Sequence, residues 1–304
     1  MRRFLLTGSA AFFFLSLVAN SSAVGTAFLT IPSSPRELAF GGFTPSVTGD
    51  PSLARGNPAL IVQSIPAMDV HFGYNLWFAG ARGTSVLIAQ PAFGSTFGFS
   101  VRHLEISDLE LRTTTPTDDY LSLFKESGTT VEATWGRRLD RWRLGGTIRW
   151  IRLESYVDNS SGFGVDLGAW WPLAGGQISL AAALQNLGYM TPMREKVPSL
   201  PTALQIGGTW HMSSGPGSER SSFRSLFTAG AEFSKVHGRT IRLAGEISID
   251  DARLTVGLRS SHRVAEVAVG ASVGWRRFRF SYGVAVGSHR LGVPHLFHVM
   301  TRLP

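Results

Sequence analysis

Three histidines near the carboxyl end are the residues whose type and spacing come nearest to a metal site. His289, His295 and His298 fall within ten residues, and the imidazole ring is a common ligand of zinc. Along an extended strand, however, side chains an odd number of residues apart point to opposite faces. His295 and His298 would therefore not share a metal ion, and the sequence predicts neither a metal site nor a cofactor.

Serine, histidine and aspartate occur throughout the chain, so their number alone does not exclude a hydrolase triad, which is recognised by geometry. Gly162-Phe-Gly164 lacks the lysine of a phosphate-binding loop and is typical of a strand instead. The acidic pairs at 118–119 and 250–251 are typical of turns rather than of calcium sites. We predict that this protein is not an enzyme.

The elements that carry these residues have a period of two. In the stretch Arg277–Gly287, Phe278, Phe280, Tyr282, Val284 and Val286 share one face, while arginine, serine, glycine and alanine share the other. Only an extended strand separates the two sets in this way. The stretch 265–275 alternates likewise, so a tight turn near Trp275 predicts a hairpin.

The same alternation returns along the chain from Met68 and predicts about fourteen strands of some ten residues each. Short connections such as Gly175-Gly176 and Asp250-Asp251 are typical of hairpin turns. The longer ones, at 114–128, 188–201 and 213–225, are expected to lie together at one end.

Composition limits the kind of partner. The 304 residues carry a net charge of +8, almost all of it from arginine, and contain no cysteine. Arginines spread singly along strands do not form a nucleic-acid surface, whereas a basic surface suits anionic lipid headgroups or polysaccharide. We therefore expect membrane lipid or lipopolysaccharide, and no nucleic acid, as a partner.

Three regions follow from the pattern. Residues 1–23 have a charged start, an apolar stretch and a small-residue cleavage site, which predict a secretory signal peptide. Residues 24–66 predict two or three short helices, with Asp50-Pro51 and Asn57-Pro58 as helix starts. Residues 67–304 contain the strands. The helical region is too short for a core of its own and is expected to pack on or inside the strands.

A membrane barrel explains the strands better than a water-soluble sandwich. Tryptophans 135, 142, 150, 171, 210 and 275 lie at or near strand ends, as in the aromatic girdles of outer-membrane barrels. The opposite face is small and polar, as a barrel interior requires. The predicted lumen-facing charges are Arg141, Arg143, Arg149, Asp166, Glu232, Arg242, Glu246, Glu266, Arg277 and Arg279, with Arg242–Glu232 and Glu266–Arg279 as candidate pairs.

Four motifs in order resemble the PorV/PorQ family of outer-membrane proteins. They are the stretch from Ala27 to Gly42 followed by Asp50 and Asn57-Pro-Ala-Leu60; 160–168; Leu184-Gln-Asn-Leu-Gly188 with the proline-bearing return at 197–207; and 278–290. The hatch signature is Arg36, Gly41, Gly42, Asp50, Asn57 and Pro58. The chain departs from the family at Ser281, where an acid is expected, and at its final Leu303-Pro304.

The resemblance implies a FadL-like antiparallel transmembrane β-barrel of fourteen strands in the outer membrane, with a small N-terminal helical hatch. It also implies an adaptor or structural role in type IX protein secretion, with translocon components and the C-terminal signal domains of secreted proteins as partners. The alternative is a FadL-like passive transporter of hydrophobic small molecules. For that alternative we predict Phe40, Phe43 and Leu60 as the ligand lining, although plain packing explains them as well.

Overall fold

The chain forms a closed antiparallel barrel of fourteen strands. The structure is a computed structural model and describes residues 25–42, 46–63, 66–112, 119–213, 223–235, 238–262, 264–288 and 292–304. The signal peptide predicted at 1–23 and Phe43 lie outside the described residues. The strands are β1 (Met68–Leu76), β2 (Arg82–Ala92), β3 (Ser95–Leu111), β4 (Ser122–Leu139), β5 (Trp142–Ser155), β6 (Asp158–Leu173), β7 (Ile178–Met190), β8 (Ala203–Ser213), β9 (Phe223–Ser234), β10 (Gly238–Ile249), β11 (Ala252–Ser261), β12 (Ala265–Trp275), β13 (Phe278–Gly287) and β14 (His295–Leu303).

Each strand pairs with its sequence neighbours, and β1 pairs with β14 to close the barrel. The predicted hairpin is present, with Trp275 opposite Phe278 and Glu266 opposite Gly287. Closure removes the free edges that an open sheet would expose. The prediction of a fourteen-stranded antiparallel barrel is confirmed.

The predicted orientation of the two faces is also observed. In β13, Phe280, Tyr282 and Val286 are exposed on the outer surface, whereas Gly283 and Ala285 are buried inside. In β12, every second residue from Val267 to Val273 is exposed and apolar. A continuous apolar outer surface of this kind is suited to hydrocarbon rather than to water.

The two ends of the barrel differ in their connections. At the short-turn end, two residues join β2 to β3, β4 to β5, β10 to β11 and β12 to β13. At the long-loop end lie the connections from β3 to β4 and from β7 to β8. Residues 214–222, predicted to lie with these two connections, are outside the described residues. The strand ends that flank them, Ser213 and Phe223, are at the short-turn end, because successive antiparallel strands change direction.

Aromatic side chains form two bands on the outer surface. Trp142 and Trp171 stack at 5.1 Å near the short-turn end, and Trp275 ends β12 at the same end. Trp150 is opposite Phe163, whose ring lies 6.4 Å from that of Tyr189, nearer the long-loop end. Eight residues separate Trp142 from Trp150, roughly 20 Å across the membrane for a tilted strand, which suits the apolar band of such barrels.

The described part of the N-terminal segment, residues 25–42 and 46–63, contains one short α-helix, α1 (Pro35–Ala39), and three 3₁₀-helices (Thr26–Thr30, Pro51–Arg55 and Pro58–Ile61). A further 3₁₀-helix follows β1 (Phe78–Gly80), and another follows β6 (Ala174–Gly176). No helix within the described ranges is long and apolar enough to cross a bilayer. Most of the segment is buried against the inner faces of β4–β6 on one side and β11–β14 on the other.

Candidate functional site

The short helices of the N-terminal segment begin and end at residues that favour helix caps. Ser34 caps α1 by accepting a hydrogen bond from the Glu37 amide, and Gly41 and Gly42 end it with φ angles of 71° and 70°. The carboxylate of Asp50 caps the next turn by accepting from the Ser52 amide at 3.0 Å. The Asp50 cap is the helix start predicted from Asp50-Pro51, and the Ser34 cap and the glycine stop follow the same local rules.

Asn57 and Pro58 join the segment to the wall of β5 and β6. The Asn57 side-chain amide donates to the carbonyl of Ala169 at 3.1 Å, and its oxygen accepts from the Ala59 amide at 3.0 Å. A Cβ atom on Gly145 or on Gly168 would collide with this turn. Glycine at these two strand positions lets the segment approach the wall at backbone distance.

Glycines shape the opposite wall in the same way. A Cβ atom at Gly270 would lie 2.7 Å from the Ala39 side chain, and one at Gly283 would lie 2.9 Å from Pro35. A Cβ at Gly257 would meet the carbonyl of Ala39. Helix α1 therefore packs directly on the backbone of β11, β12 and β13, where a row of glycines leaves room for it.

A buried ion-pair cluster anchors α1. The Arg36 guanidinium donates two hydrogen bonds to the Glu246 carboxylate, at 2.6 and 2.8 Å, and lies 3.6 Å from Asp50. Glu246 also accepts from the Thr255 hydroxyl at 2.8 Å and lies 3.4 Å from Arg253. Arg36 and Glu246 are both less than one-tenth exposed.

The charges of this cluster shift the titration of the two residues in the segment. Burial by itself lowers the pKa of Arg36, but the neighbouring carboxylates of Glu246 and Asp50 outweigh it, so the pKa of Arg36 is raised. Burial by itself raises the pKa of Asp50, but Arg36 and the weaker contributions of His71, Arg253 and Ser52 together outweigh it and hold the pKa of Asp50 well below its usual range. Both side chains therefore stay charged at neutral pH.

A cavity of about 730 Å³ lies between the segment and the long-loop end of the barrel. Its lining comes from the segment, from the connection after β1 and from the halves of β3–β5 and β7–β12 that are nearest the long loops. The segment lies between the cavity and the short-turn end, and the cavity faces the long loops.

One wall of the cavity is apolar. It consists of Phe28, Leu29 and Ile31 from the segment together with Leu104, Leu153 and Met193 from the barrel side. Phe28, Leu29 and Leu153 belong to a buried cluster that also includes Ile151 and Met190. A molecule placed against this wall would lose contact with water over most of one side.

The other wall is polar and charged. Arg242 and Glu232 form an ion pair at 2.7 Å, and the amide of Gln205 donates to the same carboxylate at 2.8 Å. Arg259 and Glu266 complete this wall. The cavity therefore combines an apolar patch around the segment with charged residues on β8–β12 and also on β3–β5, which contribute Glu105, Glu126 and Glu154.

Most of the predicted lumen-facing charges do face the interior. Arg149 is buried and contacts Glu132 at 2.7 Å and Asp166 at 2.6 Å. Arg143 donates to the carbonyl of Val62 at 3.4 Å. The remaining predicted residues that are buried on the inner face are Glu232, Arg242, Glu246 and Glu266.

Three details of that prediction are corrected. Arg141 and Arg277 lie in exposed two-residue turns at the short-turn end, because β5 and β13 begin one residue later than the pattern suggested. The pair Arg242–Glu232 is present, but Glu266 and Arg279 belong to opposite ends of the β12–β13 hairpin. Arg279 donates instead to the carbonyl of Asp251 at 3.0 Å.

The predicted ligand lining is also corrected. Phe40 and Leu60 are completely buried with Val47 and Leu53 in the core of the segment and do not reach the cavity. The residues that do line it, such as Leu104 and Leu153, were missed. The sequence did contain an indication of this lining. Leu153 is on the same inward face of β5 as Arg149, and an apolar residue on a face that is otherwise polar indicates that another part of the chain packs against it inside the barrel.

Of the three histidines near the carboxyl end, His289 lies outside the described residues, and His295 and His298 lie on opposite faces of β14. His295 contacts the Tyr282 hydroxyl at 2.7 Å on the outer side, whereas His298 is buried inside with its ring 5.1 Å from that of His71. Gly270-x-Ser272-x-Gly274 has the spacing of a nucleophile elbow, but it lies within β12 instead of at a strand-to-helix turn. Within the described ranges, no group of three or more histidines and acids is placed to hold a metal ion.

Comparison with known proteins identifies the fold. No family model matches the chain, and no curated protein matches it. The solved structures similar to it include the CymD monoaromatic hydrocarbon channel, with a TM-score of 0.60 and 8% identity over 90% of this chain and 97% of that one. The toluene transporter TodX of Pseudomonas putida is similar too, with a TM-score of 0.60 and 10% identity over 89% of this chain and 97% of that one.

Proposed function

We propose that this protein is a non-enzymatic outer-membrane channel that passes small hydrophobic molecules inward from the long-loop end. The observation that carries the proposal is the apolar wall of Phe28, Leu29, Leu104, Leu153 and Met193 in a cavity that faces the long loops. Its volume of about 730 Å³ is within the range typical of small-molecule sites. The fold shared with CymD and TodX, named as a hydrocarbon channel and a toluene transporter, supports it.

In this proposal the N-terminal segment is the hatch. It separates the cavity from the short-turn end, and it is held by the Arg36–Glu246 ion pair and by backbone contacts with Gly145, Gly168 and Gly283. A ligand held against Phe28 and Leu29 touches the hatch directly. Displacement of the segment is then the step that connects the cavity to the other end of the barrel.

The proposed orientation places the short-turn end in the periplasm, as is usual for outer-membrane barrels. Exposed arginines at that end, Arg137, Arg141, Arg276 and Arg277, lie beside the aromatic band. Guanidinium groups beside tryptophan rings suit the phosphates of a lipid headgroup region. We accordingly expect membrane phospholipid at this rim and lipopolysaccharide around the long-loop half.

Single-cysteine labelling tests the cavity, because the natural chain contains no cysteine. Leu153→Cys places a thiol on the apolar wall, and N-ethylmaleimide should label it from the long-loop side. Toluene or decane should slow that labelling in proportion to occupancy. Phe40→Cys is the matched control, since Phe40 is buried in the segment but does not line the cavity.

Uptake tests the transport itself. Cells that lack the protein should accumulate radiolabelled toluene more slowly, and Leu153→Glu should restore less uptake than the wild type when both are expressed at equal levels of folded barrel. Equal uptake by null, wild-type and Leu153→Glu cells would refute the transport proposal.

A secretion adaptor of the PorV/PorQ kind is the second candidate. The observation that favours it is the position of the signature residues Arg36, Asp50 and Asn57, all of which contribute to closing the lumen. A barrel that stays closed would act through its long-loop end. A pulldown from detergent-solubilised outer membrane that recovers translocon components or secreted C-terminal domains would support it, and recovery of neither would count against it.

A further inference from the structure

The polar wall of the large cavity is a row of side chains on the inner faces of β8–β12. Gln205 is opposite Glu232, and Arg259 is opposite both Arg242 and Glu266 on its two neighbouring strands. The ion pair between Arg242 and Glu232 joins these groups into one row. All five residues line the cavity, and all but Arg259 are less than one-tenth exposed.

Two members of the row, Arg259 and Glu266, have unused hydrogen-bonding groups. Glu232 accepts from Arg242 at 2.7 Å and from Gln205 at 2.8 Å. Among the residues that the structure describes, by contrast, neither Arg259 nor Glu266 has a hydrogen-bond or ion-pair partner, and the Nε atom of Arg259 is buried. Their charged groups lie more than 4.0 Å apart, although the two residues are cross-strand neighbours. Only a third group placed between them can bond to both.

The chemistry of the two side chains defines the group that fits between them. The guanidinium of Arg259 can only donate hydrogen bonds, and the carboxylate of Glu266 can only accept them. A hydroxyl does both, because its hydrogen can point to the carboxylate while its oxygen accepts from the guanidinium. Water can make the same two bonds, and a ligand hydroxyl that takes its place reproduces them, whereas a hydrocarbon does not.

The charge of the row disfavours an ionic group in this position. Glu232 and Glu266 balance Arg242 and Arg259, so the row is neutral. A carboxylate placed in the gap would be repelled by Glu266, and an ammonium group would be repelled by Arg259. An uncharged hydroxyl avoids both repulsions.

The acids on β3–β5 have little influence on this choice. Glu154 forms an ion pair with Arg152 at 2.7 Å, and Glu105 lies 3.9 Å from Lys125. Glu126 is exposed, and water and salt screen an exposed charge. The row on β8–β12 is the buried part of the polar lining and therefore decides which head group is held.

The gap between Arg259 and Glu266 also borders the hatch. A Cβ atom on Gly41 would lie 3.4 Å from the Cβ atom of Arg259, and Gly41 lines the same cavity. The apolar wall around Leu153 is on β5, which is nearly opposite β11 in the ring of fourteen strands. A ligand that touches both sides of the cavity is therefore elongated.

We propose that the cavity selects elongated molecules with an apolar body and one uncharged hydroxyl head, which is held between Arg259 and Glu266. This inference rests on the proposed transport function and narrows its ligand class from hydrocarbons to alcohols. The hydroxyl donates to Glu266 and accepts from Arg259, while the apolar body contacts the wall of Phe28, Leu29 and Leu153. Arg259 and Glu266 are then the residues that determine specificity.

Protection of the Leu153→Cys thiol measures the preference for a hydroxyl. The full chain is refolded in detergent micelles and labelled with N-ethylmaleimide in the presence of decane or decanol, at free concentrations set by dialysis. The double substitution Arg259→Met with Glu266→Met removes both partners of the hydroxyl and keeps the row neutral. It should reduce the advantage of decanol over decane about tenfold. Comparison of the two proteins cancels the transfer of each probe from water.

The matched control is Arg112→Met with Glu110→Met. It also removes one arginine and one glutamate, from an exposed pair at 2.7 Å that does not line the cavity, and it should keep the advantage of decanol. An equal advantage in the double variant and in this control would overturn the inference but not the transport function, because the gap would then hold only water. If neither decane nor decanol slowed labelling, the transport function itself would be refuted, and the inference with it.

Measurements on Leu153→Cys alone decide the question if heat-modifiable migration shows that the double variant does not fold. Nonyl methyl ether is an isomer of decanol that accepts a hydrogen bond but cannot donate one, so it should protect only at a severalfold higher free concentration. Equal protection by the two isomers would overturn the inference. Stronger protection by decanoate or decylammonium than by decanol would also overturn it, because the gap would then take an ionic head.

Discussion

The substitution Glu246→Gln gives the sharpest test of how the segment is held. It removes the carboxylate that accepts two hydrogen bonds from Arg36, at 2.6 and 2.8 Å, where both groups are less than one-tenth exposed. Removing one partner of a buried ion pair costs about 3–5 kcal/mol, because the other charge is left uncompensated. Asp50, 3.6 Å from Arg36, still offsets part of that charge, so we take about 3 kcal/mol from the low end of that range.

The loss should appear as opening of the segment and not as unfolding of the barrel. The barrel is closed by backbone pairing between all fourteen strands, which this substitution leaves intact. Local opening by about 3 kcal/mol corresponds to a roughly 100-fold larger open population, at about 1.4 kcal/mol for each factor of ten.

Thiol labelling measures that population. Ser46→Cys is a conservative background substitution at a completely buried position of the segment in a chain without natural cysteine. In this background, Glu246→Gln should accelerate maleimide labelling about 100-fold, while heat-modifiable migration shows that the barrel stays folded.

The matched control is Glu154→Gln. It makes the same chemical change in an ion pair with Arg152 of similar length, 2.7 Å, that is 43–48% exposed. Such exposed pairs contribute about 1 kcal/mol or less. Labelling of Glu246→Gln at the rate of the control, with a folded barrel in both, would refute the idea that the buried pair holds the segment.

Three further outcomes follow from the same contacts. Gly283→Ala should loosen the segment, because the added Cβ would lie 2.9 Å from Pro35. Gly245→Ala should not, because its Cβ would meet only a carbonyl oxygen at 3.9 Å. Limited proteolysis should therefore cut the segment faster in Gly283→Ala than in Gly245→Ala. Because the pKa of Asp50 is lowered in the folded protein, its charge stabilises the segment fully above about pH 4, and this stabilisation is lost as the pH falls below that value. Pepsin should therefore cleave the segment faster towards stronger acid. A cleavage rate that is independent of pH, after correction for pepsin activity, would contradict this. Ile148→Arg on the lipid-facing side of β5, where Ile148 is 64% exposed, should destabilise the barrel in liposomes by about 2–4 kcal/mol in urea titrations, whereas a water-facing site would tolerate it.

The strand pattern illustrates how far local information reaches. Alternation from Arg277 to Gly287 predicted a strand, its hairpin partner and the outward face, and all three are observed. Side chains on a strand alternate regardless of what the strand packs against. The capping signals Asp50-Pro51 and Asn57-Pro58 likewise needed only neighbouring residues to form the observed 3₁₀-helices.

The contents of the barrel were less predictable. Phe40 and Leu60 looked like a ligand lining, but they pack on Val47 and Leu53 inside the segment. The lining instead combines Phe28 with Leu104 and Leu153, which are far apart in sequence. The contacts between these apolar residues depend on the position of the segment inside the barrel. Glycines on at least five strands determine that position, because they let the segment approach the strand backbone.

The sequence by itself therefore determined the strands, their number, the two faces of each and the caps of the short turns, because these follow from contacts between residues that are close in the chain. Only the tertiary structure decided the place of the cavity and the Arg36–Glu246 pair. Both join a segment near the amino terminus to strands up to 210 residues away, and they depend on closure of the barrel and on the glycines against which the segment packs.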